Sequence, residues 1–177
     1  MILRRLRRED AEGMLEWMHD KDICKNFREG IEHKTAEDVY KFIENADYTI
    51  RNGANLHFAV VDEKDEYMGT ISLKDLNLKD QNAEYAISLR KSAQGKGLAA
   101  KATLELFKYA FGDIGLHKIY LNVLEENTHA IHFYEKIGFC LEGTAKDHLF
   151  LRGKYQNLRW YSITAEMYCT LKPMKGE

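Results

Sequence analysis

Between residues 83 and 111 the chain passes from a strand pattern, through a short loop holding Gly95 and Gly97, into a long helix pattern. This hand-over constrains the fold more than any other feature. Ala83-Glu84-Tyr85-Ala86-Ile87-Ser88-Leu89 reads as a strand. The helix expected over 98–111 carries Ala99, Ala102, Leu106 and Ala110 on one side, with Leu98 and Phe107 nearby. Apolar over much of its circumference, it belongs between layers. A strand at 118–123 follows, so the three segments make one strand–helix–strand crossover.

The flanking chain reads mainly as hairpins. A short strand is expected at 2–6, then a helix from Glu9 with Met14, Leu15, Trp17 and Met18 at helical spacing. Thr35, with Asp38 three residues on, caps a helix that leads into Val39, Phe42 and Ile43. Strands at 57–61 and 67–73 flank the polar turn 62–66. A helix at 128–137 stops at Gly138, and strands close the chain around 139–145, 148–151 and 158–164. The fold class is α/β, a mixed central sheet with helices on both faces.

Composition sets the outer limits. A chain of 177 residues, 45% apolar and 31% charged, suits one folded domain over 1–177. The single proline, Pro173, leaves no proline-rich linker. A net charge of -2 argues against a nucleic-acid partner, which calls for a basic excess. No apolar run approaches the roughly 18 residues of a membrane span, and the Arg-rich start lacks the apolar core of a secretory signal. Cys24, Cys140 and Cys169 are odd in number and far apart, which argues against a disulfide framework or structural zinc and for a reducing cytoplasmic setting. Cys140, between Phe139 and Leu141, reads as a packing residue.

Two glycines at a strand-to-helix turn allow several backbone N–H groups to point at one anion, where the helix dipole adds about half a positive charge. The loop lacks the spacing of a Walker A or Rossmann fingerprint. From spacing alone it is either an anion cradle or a plain tight turn.

Gln94-Gly95-Lys96-Gly97-Leu98-Ala99 resembles the Q/R-x-x-G-x-G/A pyrophosphate loop of the GNAT N-acetyltransferase superfamily. Residues 127–139, from Asn127 through Tyr134 to Gly138-Phe139, resemble its N-x-x-A-x-x-x-Y-x-x-x-G-F segment. Leu141-Glu142-Gly143 through Gly153-Lys154-Tyr155 is similar to the ending of a branch holding spermidine, ribosomal-protein N-terminal and amino-sugar acetyltransferases. Residues 20–52 match poorly, and in this fold they shape the acceptor site.

The resemblance implies that the strand before the loop carries a bulge and splays from its parallel neighbour, opening a cleft for acetyl-CoA as co-substrate, with no metal. It implies that backbone at Ile87, Ser88 and Leu89 pairs with the pantetheine arm, and that amides of Gly95, Lys96, Gly97, Leu98, Ala99 and Ala100 take the pyrophosphate. Gln94 would order the loop, and Lys96 is either an added cation or a solvated lysine. Asn127 is a helix N-cap, a pantetheine contact, or both. Tyr134 is a core aromatic or the acid that protonates the departing thiolate. Glu84 is a surface glutamate or the base that deprotonates the amine, with Asp147, His148 and Glu142 as weaker candidates and His132 read as a surface residue.

The resemblance implies direct acetyl transfer to a primary amine, expected to be a small molecule such as a polyamine. The alternatives are a nucleotide-linked amino sugar, a protein N-terminus, or an acyl-CoA sensor without turnover. Acids at 9, 10, 12, 16, 20 and 22 either line a cationic acceptor's pocket or form a solvated helix face. Arg4, Arg5 and Arg7 either grip a diphosphate or decorate an edge strand. The branch also implies a homodimer.

Overall fold

Alternating apolar residues build a sheet whose two faces are covered by different helices. The computed structural model describes residues 1–27 and 30–171; Pro173 and the end of the expected domain lie outside them. The strands are β1 (Leu3–Arg5), β2 (Leu56–Val61), β3 (Tyr67–Asn77), β4 (Asn82–Leu89), β5 (Lys118–Leu124), β6 (Cys140–Leu151) and β7 (Lys154–Thr164). They form one sheet in the order β1-β2-β3-β4-β5-β7-β6. Only β4 and β5 pair in parallel; the other neighbours are antiparallel.

The helices are α1 (Ala11–Met18), α2 (Lys21–Cys24), α3 (Ala36–Glu44), α4 (Leu98–Phe107), α5 (Thr128–Ile137) and α6 (Ala165–Thr170). On one face Ala102 and Leu106 of α4 and Ile131 and Ile137 of α5 pack on Ile71, Tyr85, Leu121 and Tyr161. On the other, Met14 and Trp17 of α1 and Val39 and Ile43 of α3 cover Ala59, Val61 and Tyr67. The Thr35–Asp38 capping box forms as the sequence predicts.

Four details depart from the sequence reading. The central helix is α-helical only to Phe107 and continues as a wider π-helical segment over Lys108–Ile114, closed by Gly115 at φ +79°. The closing strands are two long ones, because β6 runs through its polar middle by bulging: the Asn157 side chain accepts from the Asp147 N–H at 2.9 Å where regular pairing lapses. Arg152 and Gly153, both at positive φ, then turn β6 into β7. The bulge expected in β4 lies instead in β3, where Asp75 (φ +50°) and Leu76 stand opposite Ala83. Finally, Cys140 is exposed at the start of the edge strand, while Cys24 is the buried cysteine.

Candidate active site

β4 and β5 pair only over Asn82–Glu84 and Lys118–Tyr120, and then diverge. Beyond this fork β4 keeps a regular register with β3 while β5 follows β7. A wedge opens between two strands of one sheet. Its volume of about 1870 Å³ exceeds the ~300–1,000 Å³ of a drug-sized pocket, leaving room for a long ligand and an acceptor together.

The backbone pattern on the β4 side follows from register. Arg90 N–H donates to the Met68 carbonyl at 2.8 Å, so the even-numbered residues of β4 turn their amides toward β3. Those of Ile87 and Leu89 face the wedge, where β5 no longer pairs with them, whereas the Glu84–Tyr120 pairing still takes the Tyr85 amide. Ser88 is therefore a correction: its carbonyl points at β3, so close that a Cβ on Gly69 would lie 2.3 Å from it. The Ser88 residue lines the cleft, but its main chain is taken up by β3.

At the mouth of the wedge, Gly95 and Gly97 both adopt φ +73°. Added Cβ atoms there would meet no atom within 4 Å, so conformation rather than space demands glycine. Gly97 is the N-cap of α4 without a side-chain cap, and the first helical bond runs from Lys101 N–H to Gly97 C=O at 3.2 Å. The amides of Leu98, Ala99 and Ala100 thus precede the hydrogen-bonded helix and line the cleft. Gln94 donates to the Leu89 carbonyl at 3.3 Å, tying the loop to the end of β4. Lys96 does not line the cleft, whereas Lys91 and Lys101 do.

Tyr134 enters from the α4/α5 face. Its ring meets Tyr85 edge-on at 5.9 Å and Phe139 at 5.8 Å. Tyr85 is itself held by a hydrogen bond to Thr103 at 2.8 Å. The Tyr134 hydroxyl has no protein partner among the described residues, and no buried side-chain polar atom there lacks one, so this hydroxyl opens to the cleft. Burial pushes its pKa up to about 12, which keeps it a proton donor at neutral pH. Immediately before α5, Asn127 caps the helix by accepting from the Ala130 N–H at 3.2 Å, and it also lines the cleft.

Glu84 lies on the opposite face. Strand alternation puts its side chain away from Tyr85, where it accepts from Lys74 Nζ at 2.8 Å and from Asn122 Nδ2 at 3.4 Å. Lys74 and Asn122 were not singled out by sequence. Only the register of β3 and β5 brings them here, although each lies in a recognisable strand or its extension. Among the weaker base candidates, Glu142 pairs with Lys118 and Ser162, and neither it nor Asp147 or His148 lines the cleft. His132 does line it, with Nδ1 on the Thr128 carbonyl at 2.7 Å.

The acids near the N-terminus scatter. Asp10 is buried against Arg4, Glu16 pairs with Arg90, Asp20 caps α2, and Asp22 alone of the six reaches the cleft, paired with Lys91. Arg4 and Arg7 bind Asp65, and Arg5 lies over the Tyr48 ring. None of these three arginines lines the cleft.

Residues 1–140 match the acetyltransferase (GNAT) domain. The chain belongs to the GNAT acetyltransferase family. It is 34% identical to the spermidine N(1)-acetyltransferase of Escherichia coli K12, covering 99% of this chain and 91% of that one. It is 30% identical to that of Vibrio cholerae over 95% of both. A putative ribosomal N-acetyltransferase of Bacillus subtilis matches at 33% over only 54% of the chain. The crystal structure of the Vibrio cholerae spermidine N-acetyltransferase in complex with CoA and spermine superposes with a TM-score of 0.81 at 28% identity, covering 95% of this chain and 97% of that one. The family's acetyl donor, acetyl-CoA, suits the cleft described: a strand edge with unpaired amides leads to an uncapped helix start. Among the described residues no cluster of His, Cys, Asp and Glu is arranged to hold a metal ion, and no helix is long and apolar enough to cross a membrane.

Proposed function

We propose that this chain acetylates a polyamine, using acetyl-CoA and direct attack by the amine in a ternary complex. The observation that carries the reading is the wedge itself, open to both faces of the sheet, with Tyr134 on one and Glu84 on the other. Acetyl-CoA bound along β4 supplies an acetyl thioester. Amides of Ile87 and Leu89 hold the pantetheine arm, Asn127 adds a side-chain contact, and the loop from Gln94 to Ala100 receives the pyrophosphate, with Lys101 nearby.

Glu84 removes the proton that keeps an alkyl ammonium from attacking. Tyr134 gives its proton to the sulfur as the carbon–sulfur bond breaks. A free thiol has a pKa of about 8.5. The burial that raises the phenol also disfavours a thiolate in the same cleft, so both acids move upward together.

For the acceptor, carboxylates at Asp22, Glu84 and Glu126 line the cleft, and each is paired with a lysine ammonium that a cationic substrate can replace. The two spermidine acetyltransferases align along nearly the whole chain, which favours a polyamine over a protein N-terminus. The reading places one domain over 1–177 in the cytoplasm as a homodimer, with neither nucleic acid nor membrane as partner.

The test follows free-thiol release from acetyl-CoA with spermidine, spermine, glucosamine and a peptide N-terminus. Spermidine or spermine is expected to give the highest kcat/KM. Tight acetyl-CoA binding without thiol release above hydrolysis for any amine turns the reading into that of a sensor. A higher kcat/KM for the peptide or the sugar transfers it to those acceptors.

A further inference from the structure

The ammonium that sits on Glu84 in this structure belongs to the protein. Lys74 and Glu84 are direct cross-strand partners on β3 and β4, so the contact is set by register rather than by a flexible loop. Their side chains meet at 2.8 Å, and both are part-buried at the fork. Asn122, two residues past the last β5 residue paired with β4, holds the same carboxylate oxygen at 3.4 Å. All three side chains line the cleft that also holds Tyr134. Lys74 is thus a primary alkylamine resting on the cleft's carboxylate base, as a substrate amine would.

We propose that Lys74 is a self-acetylation site: with acetyl-CoA bound and no external amine present, the enzyme acetylates its own Lys74 side chain. The inference rests on the proposed acetyl-transfer reading of the cleft. Glu84 takes one proton from the Lys74 ammonium and later releases it to solvent. The freed Nζ lone pair forms a bond to the thioester carbonyl carbon, and the carbon–sulfur bond breaks with its electron pair on sulfur. Tyr134 protonates that sulfur and is reprotonated by the second proton leaving Nζ. The balance is one acetyl-lysine, one CoA thiol and one proton, with no oxidant or further reactant.

The geometry separates Lys74 from Lys91, Lys96 and Lys101. Lys91 also lines the cleft but pairs with Asp22, and Lys101 projects from the start of α4. Lys96 lies outside the cleft. Acetylation of Lys74 replaces a cation with a neutral amide and leaves Glu84 with Asn122 alone. A polyamine that displaces the Lys74 ammonium from Glu84 also protects it from turnover.

The experiment incubates the full chain with acetyl-CoA alone and follows intact mass and peptide maps, with thiol release in parallel. The expected result is one acetyl group per chain at Lys74, on the order of 10²-fold faster than at Lys91, Lys96 or Lys101, the scale of one general base. Added spermidine suppresses the modification. Lys74→Arg keeps the charge on Glu84 but offers no amine nucleophile, and is expected to abolish it. Equal labelling of all four lysines, or undiminished labelling of the K74R chain, overturns the proposal. So does an unmodified Lys74 in a preparation that releases thiol with spermidine, which leaves the polyamine reading intact. An unmodified Lys74 together with no thiol release for any amine removes both.

Discussion

Glu84 and Tyr134 face the same fork in the sheet from opposite sides. The link between them is one residue long: Tyr85 follows Glu84 in β4 and holds the Tyr134 ring edge-on at 5.9 Å. A carboxylate and a phenol placed this way can handle the amine's proton and the thiol's proton without meeting each other. Since one strand carries both supports, a shift of β4 against its neighbours would move the two groups together.

Tyr134→Phe removes a hydroxyl that has no protein partner among the described residues, so folding stability is expected to change little. Turnover is expected to fall about 10²-fold or more, the scale of a lost general acid, with CoA affinity nearly unchanged. Steady-state kinetics and calorimetric CoA titration check the split. Unaltered kcat removes Tyr134 as the acid.

Glu84→Gln keeps the shape and loses the base. The kcat is expected to fall about 10²-fold at neutral pH, and the deficit shrinks as pH rises, because solvent then deprotonates the amine. A pH–rate profile of both proteins is the measurement. A deficit that stays constant across the profile points to a structural role through Lys74.

Two glycine substitutions are expected to fail differently. Gly97→Ala forces an alanine into φ +73° with free space around it, a strain of about 1–2 kcal/mol. Relaxation of that strain disturbs the uncapped amides of α4, so CoA binding is expected to weaken about fivefold or more. Gly69→Ala instead drives a Cβ to 2.3 Å from the Ser88 carbonyl and 2.8 Å from the Leu89 Cα, and is expected to cost stability or soluble yield first. Urea melts and CoA titrations of both variants distinguish the outcomes.

The buried His57 makes stability depend on pH. It is packed against Phe42 at 4.8 Å and bonded to Ser72 Oγ at 2.7 Å, and burial, with help from Lys74, depresses its pKa to about 4. In the unfolded chain the ring titrates near 6.5. Between those values the unfolded state binds the extra proton, so stability falls as pH drops from about 6.5 to about 4, by ~3 kcal/mol from this group. Urea melts over that range should show a flatter dependence for His57→Gln. Parallel curves for the two proteins discount the buried imidazole.

The loop and its two flanking elements were legible in the sequence because their signals are local. Gly95 and Gly97 announce positive φ, Asn127 announces a cap, and the helix from Leu98 announces burial by its spacing. The family motifs located Tyr134 for the same reason. The Lys74–Glu84–Asn122 contact had no such signal: its outer members, at 74 and 122, stand 48 positions apart, and the three meet only through strand pairing. Ser88 carries no such signal either, because a backbone amide's direction depends on which neighbour it pairs with, and that is a property of the sheet.

By itself, then, the sequence determined the mixed sheet with its crossover and the strand-to-helix turn, which follow from propensities and spacing within a few tens of residues, and its likeness to known motifs pointed to the family. Tertiary structure alone decided where the sheet forks, which amides of β4 remain unpaired, that Glu84 and Tyr134 take opposite faces, and that the arginines of β1 stay out of the cleft. Those outcomes depend on register between distant strands, where a slip of one residue would turn every side chain and amide the other way.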